Sequence, residues 1–242
     1  MARPVDPELR RARRLQLIDA GLTAFAERGA AATTADICRI AGVGSGTFFH
    51  HFATKDALVV AIVELGTEET RELFASLDDD NPEDSARAAS VPGAGAGGTT
   101  RSRGAGSGHA SRSSGAGASP RGTVLGFVDH AAEDLADPRA SGFVRAVGAL
   151  THRPTIVAAL EADERVTREL LGERMSRAQR AGAVRVDVPA DRLTTWVLLL
   201  LDGFAAGVAG GQVDAGRELP MLHEQVAALL DGPAGRAPTG RT

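Results

Sequence analysis

The stretch TTADICRIAGVGSGTFFHHF, from Thr33 to Phe52, decides the fold. Thr33 or Thr34 is placed to cap a short helix, with Ile37, Ile40 and Ala41 on its inner face. Gly42, Val43 and Gly44 interrupt that helix, and Gly42 sits where a turn needs an unusual backbone angle. Ser45 or its neighbouring glycine opens a second short helix holding Thr47, Phe48, Phe49 and Phe52. Two short helices joined by a glycine-containing turn are a helix-turn-helix. The second helix is too short to serve as a packing element alone. Its first residues are small and polar, so its backbone can come close to a DNA groove.

The flanking sequence extends the helical pattern. Leu15, Ile18, Leu22 and Phe25 recur at three- and four-residue steps, the stripe of an amphipathic helix, and Gly29 ends it. Thr54 caps a further helix, with Leu58, Ile62, Leu65, Leu73 and Leu77 on its buried side. Between Ser85 and Pro120, 26 of 36 residues are Gly, Ser or Ala. That composition offers little apolar surface to offset the entropy of ordering, so a disordered insertion is expected at about 79–121. Its scattered Arg87, Arg101, Arg103, Arg112 and Arg121 suit a solvated loop. Helical periodicity resumes around Phe127, Phe143, Ile156 to Met175, Leu193 to Val208, and Leu219 to Leu230. Gly182 stops the long third segment, and Gly210 and Gly211 stop the fourth. A disordered tail is expected at 232–242.

Composition agrees with an all-α fold. The 242 residues include eight Phe, one Trp and no Tyr, too few aromatics for a sandwich or barrel. The single cysteine, Cys38, leaves no intramolecular disulfide and no multi-cysteine metal site. The longest bulky apolar run, Trp196 to Leu201, is far short of a membrane span, and no secretory signal is apparent. A cytoplasmic protein without a membrane partner is expected. Residues 1–60 hold eight Lys and Arg against six acids, whereas the rest holds 19 against 25. Only the head is therefore suited to a polyanion. Five of its arginines precede position 15, and the run Arg10 to Arg14 reads either as a solvated face or as an arm for phosphates or the minor groove.

No enzyme is expected. His130 with Glu133 and Asp134 fits a helix-surface charge pair better than a metal site. The chain shows no triad, cofactor fingerprint or paired carboxylates, so neither a cofactor nor a metal is anticipated.

Ile37, Ala41, Gly42, Val43, Gly46, Thr47, His51 and Phe52, followed by Lys55, Asp56 and Leu58, carry a pattern that resembles the DNA-binding domain of TetR-family transcriptional regulators. The likeness covers about residues 10–65, including the helix with Ala20, Phe25 and Gly29. It implies an all-α protein with two parts. A three-helix helix-turn-helix DNA-binding domain spans 8–56, and a helical ligand-binding and dimerisation domain spans 57–231. Carried over by position, Ser45, Gly46, Thr47 and Phe48 would enter the major groove. Thr33, Thr34, Arg39, His50, His51 and Lys55 would hold phosphates. Phe49 stands where tyrosine is usual, so it reads either as core or as part of the DNA face. Gly44 stands where serine is frequent, which removes a cap or moves it to Ser45.

The resemblance further implies a homodimer on a palindromic double-stranded DNA operator, acting as a repressor and released by a small molecule. Helices at about 191–208 and 217–230 would pair with their copies, with Leu222 and Val226 in the interface. A largely apolar effector would contact Phe127, His130, Phe143, Leu171, Met175, Trp196 and Phe204.

Overall fold

The computed structural model describes residues 7–79 and 119–232. The described residues form nine α-helices: α1 (Pro7–Arg28), α2 (Thr34–Ala41), α3 (Ser45–His51), α4 (Lys55–Asp79), α5 (Pro120–Asp134), α6 (Pro138–Gly148), α7 (Pro154–Arg180), α8 (Ala190–Ala209) and α9 (Ala215–Asp231). A single 3-10 turn, Gly29–Ala31, follows α1, and there is no strand among the described residues. The fold is all-α, as the composition implied. The expected disordered insertion, with Arg87, Arg101, Arg103 and Arg112, falls largely outside the described residues, as does nearly all of the expected tail.

Local chemistry explains the boundaries. Gly29, Gly42 and Gly182 adopt positive φ just beyond α1, α2 and α7, where a side chain would be strained. Thr54 accepts the Ala57 amide and caps α4. Ser119 caps α5 and Pro120 begins it, so the end of the low-complexity stretch already belongs to a helix. Proline also occupies the first position of α6 and of α7, at Pro138 and Pro154.

Two cores organise the chain. The first gathers Leu17, Ile18 and Phe25 of α1, Ile37 of α2, Phe48 and Phe52 around α3, and Leu58 and Ile62 of α4. It also takes in Ala146, Val147, Leu150 and Ile156, so the helix-turn-helix shares its interior with α6 and the start of α7. The contact is close: a Cβ on Gly142 would lie 2.6 Å from the Ala26 Cα of α1. The second core holds Phe74 of α4 with residues of α5, α7, α8 and α9. The far end of α4 is fixed there by Asp78, which accepts from Arg174 at 2.5 Å and from Arg177 at 3.2 Å. The Arg174 guanidinium also lies 4.9 Å from the Phe74 ring centroid.

Leu222 and Val226 correct the interface reading. Both are buried in this chain's own second core, not offered to a partner. Helix α8 is, by length and composition, apolar enough to cross a membrane, which a six-residue apolar run did not suggest. Its Leu193, Val197, Leu198 and Leu201 instead pack into the second core.

Candidate nucleic-acid interface

Helix α2 begins with a reciprocal cap. The Asp36 amide donates to the Thr33 hydroxyl, and the Asp36 carboxylate accepts from the Thr33 amide at 3.0 Å. The Thr33 hydroxyl also donates to the Asp36 carboxylate at 2.6 Å, and this bond, then the Thr33 amide, hold the Asp36 carboxyl below its ordinary range, aided by the charges of Arg28 and Arg39. The α2 end turns at Gly42, whose amide donates back to Arg39 and Cys38. Cys38 itself is buried.

Helix α3 has Gly44 as its N-cap and receives no side-chain cap. Its first amides therefore remain available to an acceptor from outside, the expected consequence of glycine at position 44. Ser45, Gly46, Phe49 and His50 face outward, while Thr47 and His51 are half-buried. A Cβ on Gly46 would meet nothing within 4 Å. The fold thus does not require glycine there, and its small size is spent on the outer face.

Two assigned DNA contacts are corrected. Phe48 is fully buried, with its ring 5.3 Å from Phe49 and 5.9 Å from Phe52. It is the anchor of α3 in the first core and cannot reach a groove. Phe49 is the exposed member of the pair, at 55%. Lys55 is drawn inward: its Nζ donates to the carbonyls of Ala30 and Ala32, each at 2.9 Å. It ties the turn after α1 to the start of α4, so it is a staple before it is a phosphate ligand. Lys55→Ala is expected to lower stability by about 2 kcal/mol, given two charge-assisted bonds at a partly buried site. A urea melt checks this, and an unchanged midpoint would contradict the staple. Thr33, Thr34 and Arg39 lie along α2 and its cap, with Arg39 exposed.

The suggested effector contacts are divided among the two cores and the surface. Phe127 stacks on Phe74 at 4.8 Å inside the second core, where Leu171 and Met175 are fully buried. Phe143 packs edge-on against Phe25 in the other core. His130 is on the surface beside Asp134, and Trp196 is 51% exposed. Phe204 lines an open groove between α8 and α9. A different cleft, of about 410 Å³, lies between α4 and α7. Its walls include Val60, Val63, Ala159 and Val166, and Thr67 lies inside with its hydroxyl 2.5 Å from the Asp163 carboxylate. No local pattern marks this cleft, because Thr67 and Asp163 are 96 residues apart.

Residues 17–62 match the family profile of the bacterial regulatory proteins of the tetR family. That segment is a TetR-type DNA-binding region by its sequence. The HTH-type transcriptional repressor KstR2 of Rhodococcus jostii (strain RHA1) is 48% identical over 52 residues, which is 21% of this chain and 26% of the relative. The chain thus aligns with about a quarter of the length of that curated relative. Solved structures extend the likeness of fold beyond the TetR domain. A TetR-family regulator from Rhodococcus sp. superposes with a TM-score of 0.63 at 15% identity, covering 91% of this chain and 100% of its own. FadR of Bacillus subtilis, solved in complex with stearoyl-CoA, gives 0.59 at 14% identity, covering 91% and 99%.

Proposed function

We propose that the chain is a homodimeric transcriptional repressor that binds a palindromic operator and is released by a small, largely apolar effector. The observation that carries this reading is the outer face of α3. There, uncapped amides, Ser45, Gly46 and Thr47 present a small, hydrogen-bonding surface that the fold itself does not use. Such a face suits close approach to base edges and phosphates. In domain terms, 8–56 would read DNA and 57–231 would sense and dimerise, with α4 common to both.

The effector reading rests on the cleft between α4 and α7. Its walls are mainly apolar, with Glu64, Thr67, Arg71, Thr155 and Asp163 as polar contacts. Helix α4 runs from the Lys55 staple beside the helix-turn-helix to this cleft, so an occupant that favours one tilt of α4 would alter DNA affinity. The stearoyl-CoA held by FadR is an example of a ligand with a long apolar part on this fold.

Dimerisation rests on α8. Trp196, Leu199, Gly203 and Ala206 recur at three- and four-residue steps and all lie exposed, beside exposed Met221 of α9. A second copy laid along this stripe would form a four-helix interface. Leu199→Glu is expected to yield monomer in light scattering at micromolar concentration. A wild-type chain that is itself monomeric would remove the dimer from the proposal.

Mobility shifts with the DNA upstream of this chain's own gene test the DNA reading. Binding should weaken about a thousandfold between 50 and 200 mM salt if six or more phosphates are neutralised. Gly46→Ala should weaken binding while leaving the melting temperature unchanged or slightly raised, since alanine suits a helix better. Salt-insensitive binding, or a variant that binds as well as wild type, would refute the placement of α3.

A further inference from the structure

The first three turns of α1 project beyond the first core. Residues 7–13 are all exposed, and burial begins in earnest at Leu17. Arg10, Arg14, Leu17 and Gly21 follow one another at four-, three- and four-residue steps, so they share a single helix face. The buried half of that face is packed: Leu17 is fully buried, and Gly21 lies against Leu58. The projecting half carries two arginines with no carboxylate bound to either among the described residues.

This stripe emerges beside the end of α3. The Arg14 guanidinium lies 5.1 Å from the Phe52 ring centroid. The His51 ring lies 6.5 Å from the same centroid, and the His50 ring is 5.2 Å from His51. Phe52 is buried. It thus acts as a floor with a guanidinium and an imidazole placed around it. The charged groups acting on His51 are Arg10 and Arg14 from α1 and His50 from its own helix, all cationic or able to become so.

We propose that the free end of α1 is a second DNA contact, in which Arg10 and Arg14, joined by His51 of α3, hold one backbone phosphate flanking the sequence read by the recognition helix. The proposal rests on the DNA-binding reading above and adds the site, its residues and its chemistry. An anion is the ligand that suits two arginines set beside an imidazole able to take up a proton, and the phosphate next to the groove occupied by α3 is within the reach of long arginine side chains.

A protonic signature follows. Burial, then His50, Arg10 and Arg14, hold His51 below the ordinary histidine value in the free protein. A phosphate seated among these groups reverses the charge balance and raises the affinity of His51 for a proton. The complex would therefore take up a proton that the free chain lacks. With the pKa higher in the complex than in the free protein, the extra affinity is complete below the free value. It is lost as pH rises through the value in the complex.

The experiment uses the full chain and a fluorescein-labelled 30-base-pair duplex recovered from a random library by selection on the wild type at pH 6. Anisotropy gives the dissociation constant from pH 5.5 to 8.5 at fixed ionic strength. Wild type should weaken with rising pH, by at most about tenfold per unit for one linked proton. His51→Gln should lose most of that slope. Arg10→Gln with Arg14→Gln should weaken binding and reduce the salt slope by about one to two units. Arg11→Gln, on another face of α1, should leave the pH slope as it is. Imidazole proton shifts of His51, followed by NMR in the free chain and in the complex, should show its titration moving up on binding.

A duplex bound with steep salt dependence but no pH dependence in the wild type overturns this site and leaves the DNA reading standing. So does a pH slope that survives His51→Gln, or an arginine variant with unchanged affinity and salt slope. Failure to recover any duplex overturns both.

Discussion

Phe48→Ala is expected to cost about 3–5 kcal/mol, the usual penalty for emptying a fully buried aromatic site. Helix α3 has only seven residues, too few to persist without tertiary contacts. Phe48 is the one α3 residue that is buried, and it meets Phe52 from within the first core. Its removal should therefore melt the recognition helix and loosen the whole N-terminal unit, a large loss against a typical domain stability of about 5–15 kcal/mol. Phe49→Ala supplies the contrast. Phe49 is mostly exposed, and its loss should change stability by about 0.5 kcal/mol or less. Chemical melts of the two variants decide the matter. Equal losses, or a larger one at Phe49, would mean that the helix is rotated from the orientation described.

The second large effect is expected at Gly142. Any side chain there meets the backbone of Ala26, which cannot swing aside as a side-chain end can. Gly142→Val should cost about 3 kcal/mol, the upper part of the usual range for overpacking. It should also push α1 away from α6, so DNA affinity should fall along with stability. Gly148→Ala, at the end of the same helix, meets nothing within 4 Å and should be neutral or mildly stabilising. Thermal melts of both variants check this. A Gly142→Val chain as stable as wild type would show that the α1–α6 contact is looser than described.

The legible parts of the fold were those encoded locally. Gly29, Gly42 and Gly182 stop helices because positive φ favours glycine, and the Thr54 cap acts within three residues of itself. Helix rotation is a different kind of information. In the seven residues of α3, adjacent Phe48 and Phe49 offer two similar stripes, and contacts from distant elements choose between them. Lys55 was misread for a related reason, because its partners at Ala30 and Ala32 lie 25 and 23 residues away. The effector contacts were the least legible. Apolar periodicity tells which face of a helix is covered, but not whether that face meets a neighbour or a cleft. Phe127, Leu171 and Met175 proved to be buried in the second core, whereas the α4–α7 cleft is lined by small alanines, valines and two threonines.

The prolines that open α5, α6 and α7 have a mechanical consequence. Extending any of these helices backward by a turn would place its proline in the interior, at a cost of about 3 kcal/mol. Their starting points are therefore pinned. Conformational signals that work by winding a further turn onto a helix start are closed to these three elements. Tilting and sliding stay open, which makes the lever arm of α4 more effective because its neighbours do not absorb its motion by growing backward.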